Sequence, residues 1–142
     1  MKFATAIAIF VLPTLTVAAF VSYDTIYDKG STSLDSVACS DGSNGVENRG
    51  YKIFSDLPTF PYIGGAPSIT GYNSPACGSC YRLSYTTLDG NKSAVITYLA
   101  IDAANDYNLS WMAMNNLTFG QAKHLGTVDA VITNLDPSAC GL

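Results

Sequence analysis

Three aspartates, one CxxC and a single histidine are the residues whose types and spacing could do chemistry. Asp102 stands just past an apolar run, Ser93–Ile101, where a carboxylate either accepts hydrogen bonds from a ligand or caps a turn or helix. Asp24 follows Tyr23 on the opening strand and reads either as a groove neighbour or as an exposed strand charge. Asp41, before Gly42, reads first as a turn cap. Carboxylates or amides beside aromatic faces in a groove suit a neutral sugar. The same groups in pairs suit a glycosidase, with carboxyls about 5 Å apart for retention or about 6.5–9.5 Å for inversion. Asp24 and Asp102 are the pair that such an enzyme would use here. His124 falls near the end of a short helical segment, where it caps carbonyls rather than performing chemistry.

Cys77-Gly78-Ser79-Cys80 admits a redox dithiol or half of a zinc site. No thioredoxin-like βαβ pattern surrounds it, and no second CxxC or paired histidine completes a zinc set, so neither metal nor cofactor is expected. With Cys39 and Cys140 the count is four, which in an exported chain of this size implies two disulfides. Spacing alone permits three pairings, each closing loops that stabilise the fold by about 4 kcal/mol per bridge.

The elements that must position these groups are mostly short strands. Val21–Tyr27 opens the domain, Tyr81–Thr87 and Ser93–Ile101 flank the Asp89-Gly90 hairpin signal, and Thr127–Thr133 adds another strand. The Gly- and Pro-rich stretches Leu57–Pro67 and Gly71–Pro75 read as ordered loops. Leu109–Leu117 is the best helix, with Asn108 or Ser110 as its N-cap and a core-facing stripe of Trp111, Met114 and Leu117. A second short helix covers Gln121–Leu125. The tally is mainly β with one or two short helices, a closed barrel rather than a layered α/β fold.

The N-terminus carries one basic residue, Lys2, then an apolar stretch to Val17 and small residues through Ala19. That is the pattern of a secretory signal peptide over residues 1–19, with one domain over 20–142. Pro13 and the short run argue against a membrane span. Charged residues are 13% of the chain, about half the usual ~25%. The net charge of −4 comes with no basic cluster, so nucleic acid is excluded as a partner. A neutral, hydroxyl-rich surface suits uncharged ligands.

Six ordered segments carry a resemblance. They are Val21-Ser22-Tyr23-Asp24, Cys39-Ser40-Asp41-Gly42, Phe60-Pro61-Tyr62-Ile63-Gly64-Gly65, Asn73-Ser74-Pro75-Ala76-Cys77-Gly78-Ser79-Cys80, Ala100-Ile101-Asp102-Ala103 and Ala113-Met114-Asn115-Asn116-Leu117-Thr118, with Cys-Gly-Leu at the end. Across nearly its whole mature length the chain resembles the cerato-platanin family of small secreted fungal proteins. The resemblance implies a six-stranded double-psi β-barrel and the pairings Cys39–Cys77 and Cys80–Cys140. It implies a non-enzymatic binder of chitin-type oligosaccharides, with expansin-like loosening of wall polysaccharide, perception by plants as an elicitor, and self-assembly of a monomer at interfaces in some members. The family's key binding aspartate corresponds to Asp102, and Asn108 matches its ligand-facing stretch. Relatives commonly carry a histidine after that aspartate, whereas Ala103 stands here, a difference that bears on ligand orientation.

Asn91, Asn108 and Asn116 each open an N-glycosylation sequon. A glycan on Asn108 would obstruct the groove, so the two uses exclude each other. The site expected from the sequence is therefore Asp102, Tyr23, Asp24, Asn108 and Asp41, in a protein of the cell wall or extracellular space. Its expected partners are fungal or plant wall glycans and a host receptor. A glycosidase using Asp24 and Asp102, and a surface-active protein with incidental sugar binding, are the alternatives.

Overall fold

The computed structural model describes residues 6–10 and 16–142. Its strands are β1 (Thr16–Tyr23), β2 (Ile63–Ala66), β3 (Cys80–Thr86), β4 (Ser93–Ala103), β5 (Tyr107–Leu109) and β6 (Val128–Leu135). They close into a barrel in the order β1-β5-β2-β4-β3-β6. Two pairings are parallel, β1 with β5 and β2 with β4, and the rest are antiparallel. This is the six-stranded double-psi barrel expected: every strand has a neighbour on both sides, although Ser93–Tyr98 of β4 pairs with β3 alone. Helices α1 (Trp111–Leu117) and α2 (Ala122–Leu125) complete it. The bridges are Cys39–Cys77 and Cys80–Cys140. Among the described residues no helix is long and apolar enough to cross a membrane.

The strands follow their side-chain patterns. In β6 Val128, Ala130 and Ile132 point inward while Asp129 and Val131 face out, the period-2 alternation of a strand with one wet face. β4 differs: Tyr98 to Ile101 are buried without a break. There one face turns into the barrel and the other carries α1 and the turn at 137–140 against it, so both of its faces are covered. The β3–β4 hairpin forms as expected, with Gly90 at φ 75 and the Asp89 carboxylate accepting from the Asn91 amide at 2.9 Å.

Three local readings change. The opening strand ends at Tyr23, because Asp24 turns the chain into a 3-10 turn (Thr25–Asp28) by accepting from the Ile26 amide at 2.9 Å. The stretch read as a loop, Leu57–Pro67, contains β2. Its Ile-Gly-Gly-Ala lacks the usual strand composition because a neighbouring backbone runs too close for side chains. The helix begins at Trp111, with Ser110 as its cap, since Asn108 and Leu109 are held in β5. Asp28 completes that cap, accepting from the amides of Trp111 (2.7 Å) and Met112 (3.0 Å). The turn 25–28 therefore fixes where α1 starts. Met114 and Leu117 join the core with Ala113, but Trp111 of the expected stripe is exposed.

The signal-peptide expectation falls in part on residues 1–5 and 11–15, outside those described. Thr16–Ala19, on the leader side of the expected cut, pair with Thr133–Ala130 of β6.

Two tyrosines set an alkaline limit. Tyr98, fully buried, donates to the Gly65 carbonyl at 2.9 Å, and burial pushes its phenol well above the ordinary value. Tyr27 is raised too, first by burial and then by the charge of Asp102. In the unfolded chain both ionise near pH ~10. A folded value above the unfolded one gives stability that is complete below pH ~10 and lost as pH rises beyond it, because unfolding then releases protons. The urea midpoint is expected to hold level from pH ~8 to ~9.5 and to fall steadily above ~10. A midpoint flat to pH ~11.5 would refute the assignment.

Candidate functional site

The chain crosses the end of the barrel between β4 and β5, and there a groove of about 660 Å³ opens. Ala103, Ala104, Asn105 and Asp106 form one wall, and Asn108 follows on β5. Phe20 of β1, Asp24, Tyr27 and Thr127 complete the lining. A second hollow of about 440 Å³ shares Ala103, Ala104 and Asn105 and is also lined by Pro67, Ile69 and Thr70. The lining combines exposed aromatic surface, amides and carboxylates, with no basic side chain among the groove residues.

β5 is placed by a close approach. Gly64 of β2 lies so near β5 that an added Cβ would stand 1.9 Å from the Asn108 carbonyl oxygen. Asn108 pairs with Ser22 on one side and Gly65 on the other, so its backbone is held from both flanks. Its Oδ1 is buried and has no hydrogen-bond partner. A buried acceptor left unpaired costs about 1–3 kcal/mol, and such groups call for an explanation.

Asp102 lies behind the groove rather than in it. One carboxylate oxygen accepts from the amides of Ala38 (3.0 Å) and Ala103 (2.9 Å), and the other accepts from the Tyr27 hydroxyl (3.2 Å). Tyr27 is 5% exposed and lines the groove, so the carboxylate braces the floor and ties it to the segment before Cys39. Replacing it, Asp102→Ala, leaves the Ala38 amide and the Tyr27 hydroxyl unpaired. The expected loss is about 2 kcal/mol of stability, with amide shifts at Ala38 and Tyr27 in a nitrogen-proton spectrum. A variant as stable as the parent, with the Ala38 amide unmoved, would contradict this bracing role.

The other expected residues separate. Asp24 lines the groove while capping the 25–28 turn. Tyr23 is half-buried and packs against the core outside the groove lining. Asp41 is on a different loop, where its carboxylate accepts from the Tyr72 hydroxyl at 2.7 Å. Phe20, Tyr27, Asn105, Asp106 and Thr127 were not anticipated. The polar run Asn105-Asp106-Tyr107-Asn108 between two apolar segments was the available signal for two of them.

The sequons separate as well. Asn91, Lys92 and Ser93 are all exposed. Ser110 of the Asn108 sequon is fully buried and its hydroxyl accepts from the Ala113 amide. Thr118 of the Asn116 sequon is buried and donates to the Met114 carbonyl, while the Asn116 amide donates to the Tyr62 hydroxyl. Among the described residues no cluster of three or more His, Cys, Asp or Glu side chains is arranged to hold a metal ion.

Comparison with known proteins gives one answer. The family model described as Cerato-platanin matches residues 19–142. The chain is 41% identical to the "Allergen Asp f 15 homolog" of Arthroderma benhamiae over 85% of its own length, and spans 57% of that relative. It is 45% identical to "Allergen Asp f 15" of Aspergillus fumigatus, over 84% of this chain and 75% of that one. In structure it is similar to cerato-platanin 2 from M. perniciosa, with a TM-score of 0.84, 42% identity, and 89% of this chain and 100% of that chain covered.

Proposed function

The chain belongs to the cerato-platanin family, and from that membership we propose that it is an exported, non-catalytic binder of neutral wall glycan of the chitin type. The observation that carries the reading is the groove at the β4–β5 crossing. It combines the exposed Phe20 face, the Asp106 and Asp24 carboxylates and the Asn108 amide, with no basic group among its lining. Pyranose rings present apolar C–H faces and a rim of hydroxyls, which is the complement of that lining. Asp106 and Asn108 bind hydroxyls, Phe20 stacks on a ring face, and Asp102 positions Tyr27 beneath them. Binding of this kind replaces hydrogen bonds between glycan chains and loosens wall material without cutting it.

Hydrolysis by Asp24 and Asp102 is the weaker reading, because both oxygens of Asp102 are already taken by Ala38, Ala103 and Tyr27. An acid catalyst must instead point at the leaving oxygen. Surface activity draws on a different observation: Leu88, Trp111, Met112, Val95 and Val131 are all exposed. Recognition by a host is compatible with either.

Calorimetric titration with chitin tetramer tests the reading. Binding by the parent protein, weakened about tenfold or more in Asn108→Ala with thermal stability kept, is the expected result. No heat and no spectral shift at millimolar tetramer would end the proposal. Release of reducing sugar from chitin or cellulose that disappears in Asp24→Asn would establish the hydrolase instead.

A further inference from the structure

Thr127 lines more than the groove. The same residue also lines a hollow of about 230 Å³ that runs over Val128 and Asp129 of β6 to Tyr85 and Thr86 of β3. That hollow in turn shares Tyr85, Leu88 and Leu125 with one of about 440 Å³ that reaches Phe119. The order of strands explains the continuity. β5, β1, β6 and β3 are consecutive neighbours around the barrel. Asn108 pairs with Ser22, two residues from Phe20, and Phe20 pairs with Asp129. Three inter-strand steps at ~4.8 Å carry this row about 14 Å past Asn108.

We propose that this second arm holds the continuation of the same ligand, so that the protein recognises the run of a linear neutral glycan rather than the end of a short one. The proposal rests on the glycan reading of the groove. The arm carries the same kinds of group together with one cation, Lys92, which lines the hollow that reaches Phe119. Phe20 is 63% and Phe119 41% exposed, and Leu88 is fully exposed. Together they offer apolar surface for ring faces, with Lys92 Nζ standing over one side of the Phe119 ring at 5.5 Å from its centroid. Asp129, Thr127 and Thr86 alternate with them as hydroxyl partners, and the Thr86 hydroxyl already shares a hydrogen bond with Ser93 at 2.9 Å. Phe119 is moreover held at φ 56, a left-handed backbone that a bulky aromatic residue rarely adopts. That conformation terminates α1: Phe119 follows the Thr118 cap, and the Gly120 amide donates back to the Asn115 carbonyl at 2.8 Å. A single extended polymer can follow such a row of adjoining hollows from one strand to the next.

The test is a titration of the folded protein with chitin oligomers from trimer to octamer, followed by nitrogen-proton spectra and calorimetry. Short oligomers are expected to shift Asn105–Asn108 and Asp24 alone. Octamer is expected to shift Thr127–Asp129 and Thr86 as well and to bind about three- to tenfold more tightly. Asp129→Ala and Phe119→Ala, both at exposed positions, are expected to remove that gain and leave trimer and tetramer affinity unchanged. Groove shifts with octamer that never reach Thr127–Asp129, or a length gain that survives in both variants, would overturn the second arm alone. Absence of shifts at Asn105–Asn108 with every oligomer would overturn the glycan reading of the groove and the arm with it.

Discussion

A Cys80→Ala/Cys140→Ala double variant is expected to lose about 4 kcal/mol of unfolding free energy. The bridge closes a loop with a sequence separation of 60 residues, and both cysteines are buried, at 0% and 2% exposure. In the chain-entropy account the bridge acts on the unfolded ensemble, and a loop of that length removes about 14 cal/mol/K of its freedom. Two truncated side chains in the core add a smaller packing loss. Domains of this size rest on only about 5–15 kcal/mol in total, so the loss is a large fraction of it. The Cys39–Cys77 bridge, with a separation of 38, carries nearly as much on the same logarithmic scale. Guanidinium unfolding measures the loss; a drop under ~1 kcal/mol would mean that the unfolded chain is already compact without the bridge.

The second large effect is at Gly64. Its missing side chain is what lets β2 pair simultaneously with β4 and β5, since a Cβ there would sit 1.9 Å from the Asn108 carbonyl oxygen and 3.1 Å from the Leu109 Cα. The obstacle is backbone on a strand held from both sides, so it cannot step aside as a flexible side chain would. Gly64→Ala is expected to cost about 3 kcal/mol, the upper range for overpacking. Because the carbonyl it strikes belongs to Asn108, the substitution is also expected to displace the groove wall and weaken chitin-tetramer binding beyond what the stability loss explains. A folded Gly64→Ala protein with unchanged shifts at Asn108 would show that the strands can part without consequence for the groove.

Much of this architecture was readable from side-chain chemistry, and the limits of that reading have physical causes. The β3–β4 hairpin announced itself through Asp89-Gly90, and the bridges through four cysteines in ordered motifs. β2 could not be seen, because Ile-Gly-Gly-Ala is the composition of a turn, and only the crowding by β5 makes it a strand. The start of α1 was blurred because Asn108 and Ser110 are both good caps. What decides between them is Asp28, 83 residues from Trp111, and no local pattern carries that contact. In the site, Asp24 was found for its charge beside an aromatic residue. Asp106 was passed over because it lies outside any periodic element. Phe20 looked like the residue after a cleavage point, and only closure of the barrel brings it beside Asn108. Asp102 was read as a ligand-facing acceptor, but sequence cannot tell such a carboxylate from one whose oxygens are occupied from behind, as here by Ala38, Ala103 and Tyr27.

The seam between β1 and β6 gains a different meaning once export is considered. A cut after Ala19 would take away Thr16–Ala19, the partners of Thr133–Ala130, while Phe20 and Val21 would keep theirs. β6 would retain β3 from Thr133 to Val131 but present its other side as a bare rim of amide and carbonyl groups. Such a rim is a template on which a further strand can grow. The new α-ammonium of Phe20 would meanwhile appear beside the Asp129 carboxylate, fastening the shortened strand where the rim begins. Processing would then be more than an address label removed: it would turn a sealed cylinder into a subunit with one adhesive side.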